Sequence, residues 1–270
     1  MNPNKFLVTI TDINQIDLYK KASVTNFLFP LKDFCVGFLK TFSIEEIESG
    51  YLYINRILDT EAYQKLKELM QELPEKIKGL VFEDFGVITL AHELQLKQQL
   101  ILYQTHFATN YQSINENLSY VDSIVLGTDI TNDEIKEILL HVSKPLVYVL
   151  YGLVPAMYSR RTLLTNFEKE YHLGEQKKVL LKEQVSHEKF LAVENEYGTM
   201  LYHDKYLNAQ SSINDAKILF YLINPIFLTN DEIKQLLEDL VNCAIRNDVR
   251  EDTGFLNQRT IYRLKGEKNE

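Results

Sequence analysis

Cysteine is scarce in this chain of 270 residues, and long apolar runs are missing. The two cysteines, Cys35 and Cys243, lie far apart in no spaced pair, which argues against a disulfide framework and a thiolate metal site. No segment approaches the roughly 18 consecutive apolar residues that a membrane helix needs, and the first residues lack a basic region followed by an apolar run. We therefore expect a cytoplasmic protein with no metal site and no membrane contact.

Glycine-rich phosphate loops are absent as well. None of the ten glycines forms a P-loop or a dinucleotide-binding pattern, so nucleotide hydrolysis and nicotinamide chemistry lose support. Acidic residues exceed basic ones and give a formal net charge of −9, which repels polyanions. Contact with nucleic acid would therefore need a local basic patch or a partner protein.

Strand and helix patterns alternate along the chain. Apolar residues make up 45% of it, enough for a large core, and the length suits one α/β barrel. Runs rich in β-branched and aromatic residues are each followed by a turn and a helical pattern, which is typical of βα units. These runs are 6–11, 26–31, 51–55, 77–82, 99–103, 123–126, 146–151 and 218–222. We predict a (β/α)8 TIM-like barrel that forms one domain over residues 1–270.

A short repeat marks two of the predicted strand-to-helix corners. The letters TNDEIK occur after the strand 123–126 and again after the strand 218–222. Thr131 with Glu134, and Thr229 with Glu232, have the spacing of a capping box at a helix start. We read the repeat as a good helix start used twice.

The alternation of strand and helix patterns is interrupted between about residue 168 and residue 210. A polar, charged stretch is followed there by two short strand patterns joined around Glu196, Tyr197 and Gly198. We predict a β-containing insertion after the seventh strand that lies across the barrel mouth. A separate small domain is the alternative.

Polar side chains follow several predicted strands, and in a parallel barrel these strand ends meet at one face. The candidate catalytic residues are Glu83, Asp84 and His106. His106 is either a general acid or base or a hydrogen-bonded loop histidine. The candidate ligand-binding residues are Asn55, Arg56, Asn110, Tyr158, Ser159, Arg160 and Arg161.

Acidic residues at this face need nearby cations if they are partly desolvated. Asp12, Glu83, Asp84 and Asp129 follow predicted strands, and Arg56, Arg160 and Arg161 are the cations we expect beside them. The arginines either form such salt bridges or bind a ligand carboxylate or phosphate. We further expect the Ser159 hydroxyl to cap a helix that begins near Arg160.

Six stretches of the chain resemble one known family. They are KDFCVGFLKTFSIEEI, LYINRILD, KGLVFEDFGVITL, HFATNYQSIN, YGLVPAMYSRRTLLTNF and ENEYGTMLY. In combination they resemble the collagenase-like peptidases, peptidase family U32, and especially its short Gram-positive form. The resemblance extends from about residue 6 to residue 240.

This resemblance implies a barrel fold and chemistry other than proteolysis. Several relatives look like proteins of oxygen-independent hydroxylation or RNA modification, which act on the wobble uridine of transfer RNA or on quinone precursors, often in pairs. Cysteines hold an iron–sulfur cluster in those relatives. Pro155 and Thr162 stand at two matching positions here, and the second cysteine pair is missing from 170–184. We therefore expect the chain to bind no cofactor.

Three functional hypotheses remain open at this point. The first is a cluster-free subunit that pairs with a larger, cluster-bearing family member and reaches transfer RNA through it, with Arg160, Arg161 and Lys169, Lys177, Lys178 and Lys182 near the phosphate backbone. The second is a peptidase. The third is a non-catalytic barrel that binds a small anionic metabolite through Arg56, Arg160 and Arg161.

Overall fold

Eight parallel strands close into a barrel in the computed structural model, which describes residues 1–104, 106–172, 174, 176–210, 216–246 and 248–258. Strands are numbered β1 to β12 in chain order. The barrel strands are β1 (Phe6–Thr9), β2 (Asn26–Pro30), β3 (Gly50–Ile54), β4 (Ile77–Phe82), β5 (Gln99–Tyr103), β6 (Ser123–Val125), β7 (Leu146–Ser159) and β11 (Ile218–Asn224). Strands β1 to β7 pair in chain order, and β11 pairs with both β7 and β1. The predicted barrel is confirmed, and each predicted strand segment overlaps an observed barrel strand.

Helices follow most of the barrel strands. They are α1 (Ile16–Lys21), α2 (Thr60–Gln71), α3 (Gly86–Glu93), α4 (Tyr111–Asn117), α5 (Asn132–His141), α6 (Leu163–Tyr171) and α7 (Asn230–Asn242). The connection after β2 contains only the short 3-10 turn Ile44–Glu46 within the described residues. That exception leaves a long loop above β2, which becomes part of the barrel mouth.

Continuous apolar runs produce the barrel strands. All four residues of β1 and all five of β3 are buried, as expected for strands whose two faces are both covered. Helix α7 shows the complementary pattern, because its buried residues Ile233, Leu236, Leu237 and Leu240 fall on one side. The buried side chains of the strands and of the helices together form the core.

The two repeated helix starts adopt the same capping box. The Thr131 hydroxyl accepts a hydrogen bond from the Glu134 amide, and the Glu134 carboxylate accepts one from the Thr131 amide. Thr229 and Glu232 make the same pair of contacts at the start of α7. The predicted helix starts are confirmed.

The seventh strand is longer than predicted. Its first half belongs to the barrel, and its second half continues to Ser159 because β10 (Gly198–Asn208) pairs antiparallel with it. The pairing register shifts near Pro155, which lacks the amide donor that a regular ladder needs. Gly152 and Pro155 both read as strand breakers, which explains the predicted end at residue 151.

Three antiparallel strands extend from this outer half of β7. Strand β8 (Lys178–Lys182) pairs with β9 (Lys189–Asn195), and β9 pairs with β10. The short β12 (Glu251–Asp252) joins β10 in parallel. The predicted insertion strands are confirmed, although positions 173 and 175 of the predicted insertion lie outside the described residues. We call β8, β9, β10 and α6 the insertion.

The turn between β9 and β10 requires glycine. Gly198 has φ +142, and a Cβ atom there would lie 2.2 Å from the Ser159 carbonyl oxygen. The turn therefore sits directly against the end of β7, which brings the insertion to the carboxyl ends of the barrel strands.

Candidate site at the barrel mouth

The loop after β2 is held over the carboxyl ends of the barrel strands. The buried side chain of Asn55, 2% exposed, accepts a hydrogen bond from the Val36 amide at 2.8 Å and donates one to the Val36 carbonyl at 3.0 Å. From the insertion, Asn195 donates to the Cys35 carbonyl, and the Tyr197 hydroxyl donates to Asp33 at 2.7 Å. The loop is thus held from two sides, by the end of β3 and by the β9–β10 turn.

Side chains of the protein itself fill the space beneath this loop. The Tyr202 hydroxyl donates to the Gly37 carbonyl at 3.1 Å, and the cavity that Tyr202 lines with Tyr53, Tyr103 and Tyr151 measures only about 20 Å³. A volume of this size is close to that of one water molecule. The centre of the mouth therefore has no room for a peptide or a metabolite in this conformation.

Glu83 is an acidic residue at the mouth whose carboxyl group has a raised pKa. It follows β4, and its carboxylate accepts a hydrogen bond from the Tyr53 hydroxyl at 2.7 Å. The residue is half-buried, but protein atoms surround its carboxyl group, and burial raises the pKa of Glu83 to about 8. The Tyr53 hydrogen bond lowers it by a smaller amount.

The phenols around Glu83 stay protonated. Tyr53 stacks on Tyr103 with ring centroids 6.1 Å apart, and burial raises the pKa of both hydroxyls, with the Glu83 carboxyl adding to the rise. At neutral pH the cluster consequently holds a neutral carboxylic acid beside neutral phenols. A carboxylic acid with a pKa near the working pH is suited to donating or accepting a proton.

Two of the predicted arginines share one carboxylate. Asp59 contacts Arg160 at 2.9 Å and Arg56 at 3.4 Å. Arg56 also donates to the Asp33 carbonyl, and its guanidinium lies 4.3 Å from the centre of the Tyr197 ring. The expected pairing of these arginines with the acidic residues after other strands is wrong. Asp59, which caps α2, is their partner instead.

Tyr158 joins this arginine cluster, and Arg161 does not. The Tyr158 hydroxyl donates to the Tyr197 carbonyl at 3.4 Å, and burial raises its pKa. Arg161 is exposed, and its backbone makes the hydrogen bonds that tie it to Ser159 and Thr199. Adjacent arginines therefore have different environments.

The predicted cap by Ser159 is wrong. Ser159 ends β7, and its hydroxyl accepts from the Arg161 amide at 3.1 Å. Helix α6 begins later, at Leu163, where the Glu194 carboxylate accepts hydrogen bonds from the Leu164 amide at 2.7 Å and the Thr165 amide at 3.0 Å. A carboxylate from β9 thus accepts the hydrogen bonds that we expected a neighbouring serine to accept, because β9 lies beside the start of α6.

Three other candidates have structural partners. Asp84 accepts from the Leu58 and Gly86 amides at 3.0 and 2.7 Å, which orders the turns before α2 and α3. His106 pairs with Asp129 through Nδ1 and Oδ2 at 2.5 Å on the exposed rim. Asn110 caps α4 by accepting from the Ser113 amide. Among the predicted catalytic residues, Glu83 therefore remains the candidate whose carboxyl group is enclosed by protein atoms.

Sequence reasoning missed several residues of this site. Tyr53, Asp59 and Asp33 were not singled out, although Asp59 precedes the helical pattern TEAYQKL as a cap residue does. Glu194 and Tyr197 lie in the stretch ENEYGTMLY, which carries the family resemblance. That stretch was the available signal for them.

The donor atoms at the mouth do not fit a thiolate-held cluster. Pro155 offers no ligand atom and pairs with Tyr202 across β7 and β10, and Thr162 offers only a hydroxyl. The Cys35 thiol is buried, donates to the Tyr53 carbonyl at 2.9 Å and has a raised pKa because of burial. Within the described ranges no three His, Cys, Asp or Glu side chains are grouped as a metal site would require.

No helix among the described residues has both the length and the apolar character to cross a membrane.

Three solved structures are similar in overall arrangement. A chitinase from Chromobacterium violaceum shares 10% identity over 88% of this chain and 99% of its own, with a TM-score of 0.42. The spore cortex-lytic enzyme SleL of Bacillus cereus shares 11% over 87% and 74%, with a TM-score of 0.40. The putative sporulation-specific glycosylase ydhD of Bacillus subtilis shares 10% over 89% and 86%, with a TM-score of 0.25. These values are too low to carry an argument about function.

No curated protein matches the chain. The model of Peptidase family U32 matches residues 40–177, which is just over half of the sequence and includes β3 to β7 with the mouth residues that follow them. The chain therefore belongs to peptidase family U32.

Proposed function

We propose that this chain is a partner subunit for a larger, cysteine-bearing U32 protein and contributes to hydroxylation of the wobble uridine in transfer RNA. The filled barrel mouth is the observation that carries this proposal. A cavity of about 20 Å³ under a loop held by Asn55 and Tyr197 is too small for a substrate at the barrel centre. The separate cavity of about 500 Å³ beside Asp129 is lined by His203 and other residues outside this centre.

The ligand chemistry supports the same proposal. Two cysteines are too few for the thiolates that hold an iron–sulfur cluster, and Cys35 is committed to a backbone contact. Redox chemistry would then come from the larger partner. The net charge of −9 is also better matched to contact with RNA through that partner than to direct binding over a wide surface.

The test is co-purification followed by analysis of transfer RNA. We expect the chain to co-purify with the larger U32 protein of the same organism when both are expressed together. Deletion of its gene is expected to lower wobble-uridine hydroxylation, measured by mass spectrometry of digested transfer RNA, and wild-type protein should restore it. Unchanged hydroxylation in the deletion strain would remove the proposal.

Glu83 favours a second candidate, peptide-bond hydrolysis with Glu83 as the general acid or base. Its raised pKa and its contact with Tyr53 are the specific observations. We expect such activity on gelatin or a peptide library to decline above pH 8 if the protonated acid is needed, and to be lost in Glu83→Gln. Activity that Glu83→Gln retains would remove this candidate.

Anion binding has less support from the contacts. Asp59 already pairs with Arg56 and Arg160, so a ligand carboxylate or phosphate would have to displace it. A thermal-shift screen with carboxylates and phosphates measures this directly, because a ligand that binds the folded state raises the melting temperature.

A further inference from the structure

Strand β8 is the outermost strand of the insertion. It pairs with β9 on one side, and no other described strand lies along its second side. Four of its five residues are exposed, including Leu180 at 57%. The turn that follows carries Val185 at 88% exposure. An exposed strand edge with apolar side chains is a template for pairing with another strand.

Exposed apolar side chains concentrate in and beside this part of the chain. Seven of the large exposed hydrophobic residues in the described ranges fall within residues 157–185. They are Met157, Leu163, Phe167, Tyr171, Leu180, Leu181 and Val185. Three of them, Leu180, Leu181 and Val185, lie on β8 and the turn after it, and adjacent exposed apolar side chains are typical of an interaction surface.

Both charged residues within β8 itself are lysines, which favours an acidic partner strand. Lys182 stands directly opposite Lys189 in the β8–β9 pairing, and like charges in this position destabilise a hairpin. Lys178 lies at the other end of the strand, with its ammonium 3.6 Å from the Phe227 ring centre. None of these three lysines forms an ion pair with a carboxylate in the part of the chain that the structure describes. A carboxylate from another protein near Lys182 would relieve this repulsion.

A second copy of the chain is the less suitable occupant. Antiparallel pairing of two β8 strands centred on Leu180 would place Lys178 of each copy opposite Lys182 of the other. Cross-strand pairs of like charge are unfavourable, and two positively charged pairs would form at once. The edge therefore matches a different sequence better than its own.

We infer that β8 is the docking edge for one extended strand of a protein partner, with acidic residues facing Lys178 and Lys182 and an apolar residue facing Leu180. The inference rests on the proposed function as a partner subunit and names the surface that this subunit uses. Backbone hydrogen bonds to the free edge would provide affinity, and the alternation of charged and apolar side chains would provide selectivity.

The test compares two leucine-to-lysine variants. Leu180→Lys adds a charge at the centre of the edge, and Leu140→Lys is the matched control because Leu140 is 75% exposed on α5. The probe is the larger U32 protein of the same organism, with affinity measured by titration calorimetry. We expect Leu180→Lys to weaken binding by about tenfold or more and Leu140→Lys to leave it unchanged. Lys182→Glu should also weaken binding, and circular dichroism melts check that each variant is folded.

A second probe separates this inference from the proposed function. A short peptide Glu-Thr-Val-Thr-Glu places its two Glu side chains and its Val on one strand face, opposite Lys178, Lys182 and Leu180. It should shift the backbone amide signals of residues 178–182 in NMR spectra, and the same peptide with Lys in place of Glu should not. Peptide binding without binding of the U32 protein would support the edge and contradict the proposed function. Binding of the U32 protein that Leu180→Lys leaves intact would overturn the edge and leave the proposed function standing.

Two other occupants are outcomes of the same measurements. A dimer in light scattering that Leu180→Lys converts to a monomer would show a second copy at the edge and overturn the inference. Tighter binding of a single-stranded RNA oligomer than of the acidic peptide, weakened by Lys182→Glu, would assign the lysines to RNA and also overturn it.

Discussion

The barrel mouth and the start of the insertion each desolvate one glutamate, and the two carboxyl groups have opposite properties. Glu194 is 2% exposed and accepts hydrogen bonds from two amides and from the hydroxyls of Thr165 and Thr199. Glu83 accepts one hydrogen bond, from Tyr53. Burial would raise the pKa of Glu194, but its four donors outweigh burial and lower it. Burial dominates at Glu83 and raises its pKa to about 8.

The comparison shows that hydrogen-bond donors decide what a desolvated carboxyl group can do. A carboxylate surrounded by donors stays charged and holds the structure together. A desolvated carboxyl group with one donor keeps its proton near neutral pH and is available for proton transfer. The two carboxyl groups thus differ in their pKa although both are shielded from water.

Removing the Glu194 carboxylate should have the largest effect on stability. Glu194→Ala leaves the first amides of α6 and two threonine hydroxyls without their acceptor, and we expect a loss of about 3 kcal/mol in the free energy of unfolding. Urea denaturation measures this loss. Glu196→Ala, at the exposed turn two residues away, is the control and should change little. Equal losses in both variants would contradict the comparison.

Removing the Asn55 side chain, which holds the loop after β2, should have the next largest effect on stability. Asn55→Ala removes both hydrogen bonds to Val36 in a buried place, which we expect to cost about 2 kcal/mol. Hydrogen exchange should show faster exchange of the Val36 amide, while amides in β1 stay protected. Unchanged exchange at Val36 would mean that Tyr197 and Tyr202 hold the loop without Asn55.

Acid and base should affect the two glutamates in opposite directions. The pKa of Glu83 is higher in the folded state than its ordinary value of 4.5, so its contribution to stability is complete below pH 4.5 and is lost as pH rises towards 8. Glu83→Gln should remove this loss, so that its stability stays nearly constant between pH 5 and pH 9 while that of the wild-type protein declines. Urea midpoints across this range test it, and parallel curves for both proteins would refute it.

Glu194 has a lowered folded-state pKa, so the sign is reversed. Its contribution is present above pH 4.5 and is lost as pH falls through the lower folded value. Wild-type protein should consequently lose stability below pH 4.5 more steeply than Glu194→Gln. The same set of urea midpoints, extended to pH 3, provides this measurement.

Arg160→Ala should have the smallest effect. Its ion pair with Asp59 is half-exposed to solvent, and such pairs add little to stability. We expect almost no change in the urea midpoint, whereas Arg56→Ala should produce a clear one because Arg56 also contacts Asp33 and Tyr197. A large loss in Arg160→Ala would give the exposed end of the arginine cluster a structural role.

Features that depend on neighbouring residues were predictable. The eight strands and the capping boxes at Thr131 and Thr229 follow from local patterns of apolar, β-branched and capping residues, and the turn at Gly198 follows from its neighbours. The end of β7 was not predictable in this way. Gly152 and Pro155 favour a break there, and the strand continues because β10 returns to pair with it.

The sequence by itself determined the order and spacing of the strands, because continuous apolar, β-branched runs bounded by turn residues are local patterns. Only the tertiary structure decided that Asp59 pairs with Arg160 and that Tyr197 and Tyr202 close the mouth. It also decided that the pKa of Glu83 is raised whereas that of Glu194 is lowered. The physical reason is that desolvation and hydrogen bonding depend on which distant groups surround a side chain, and these groups meet only after the barrel has closed.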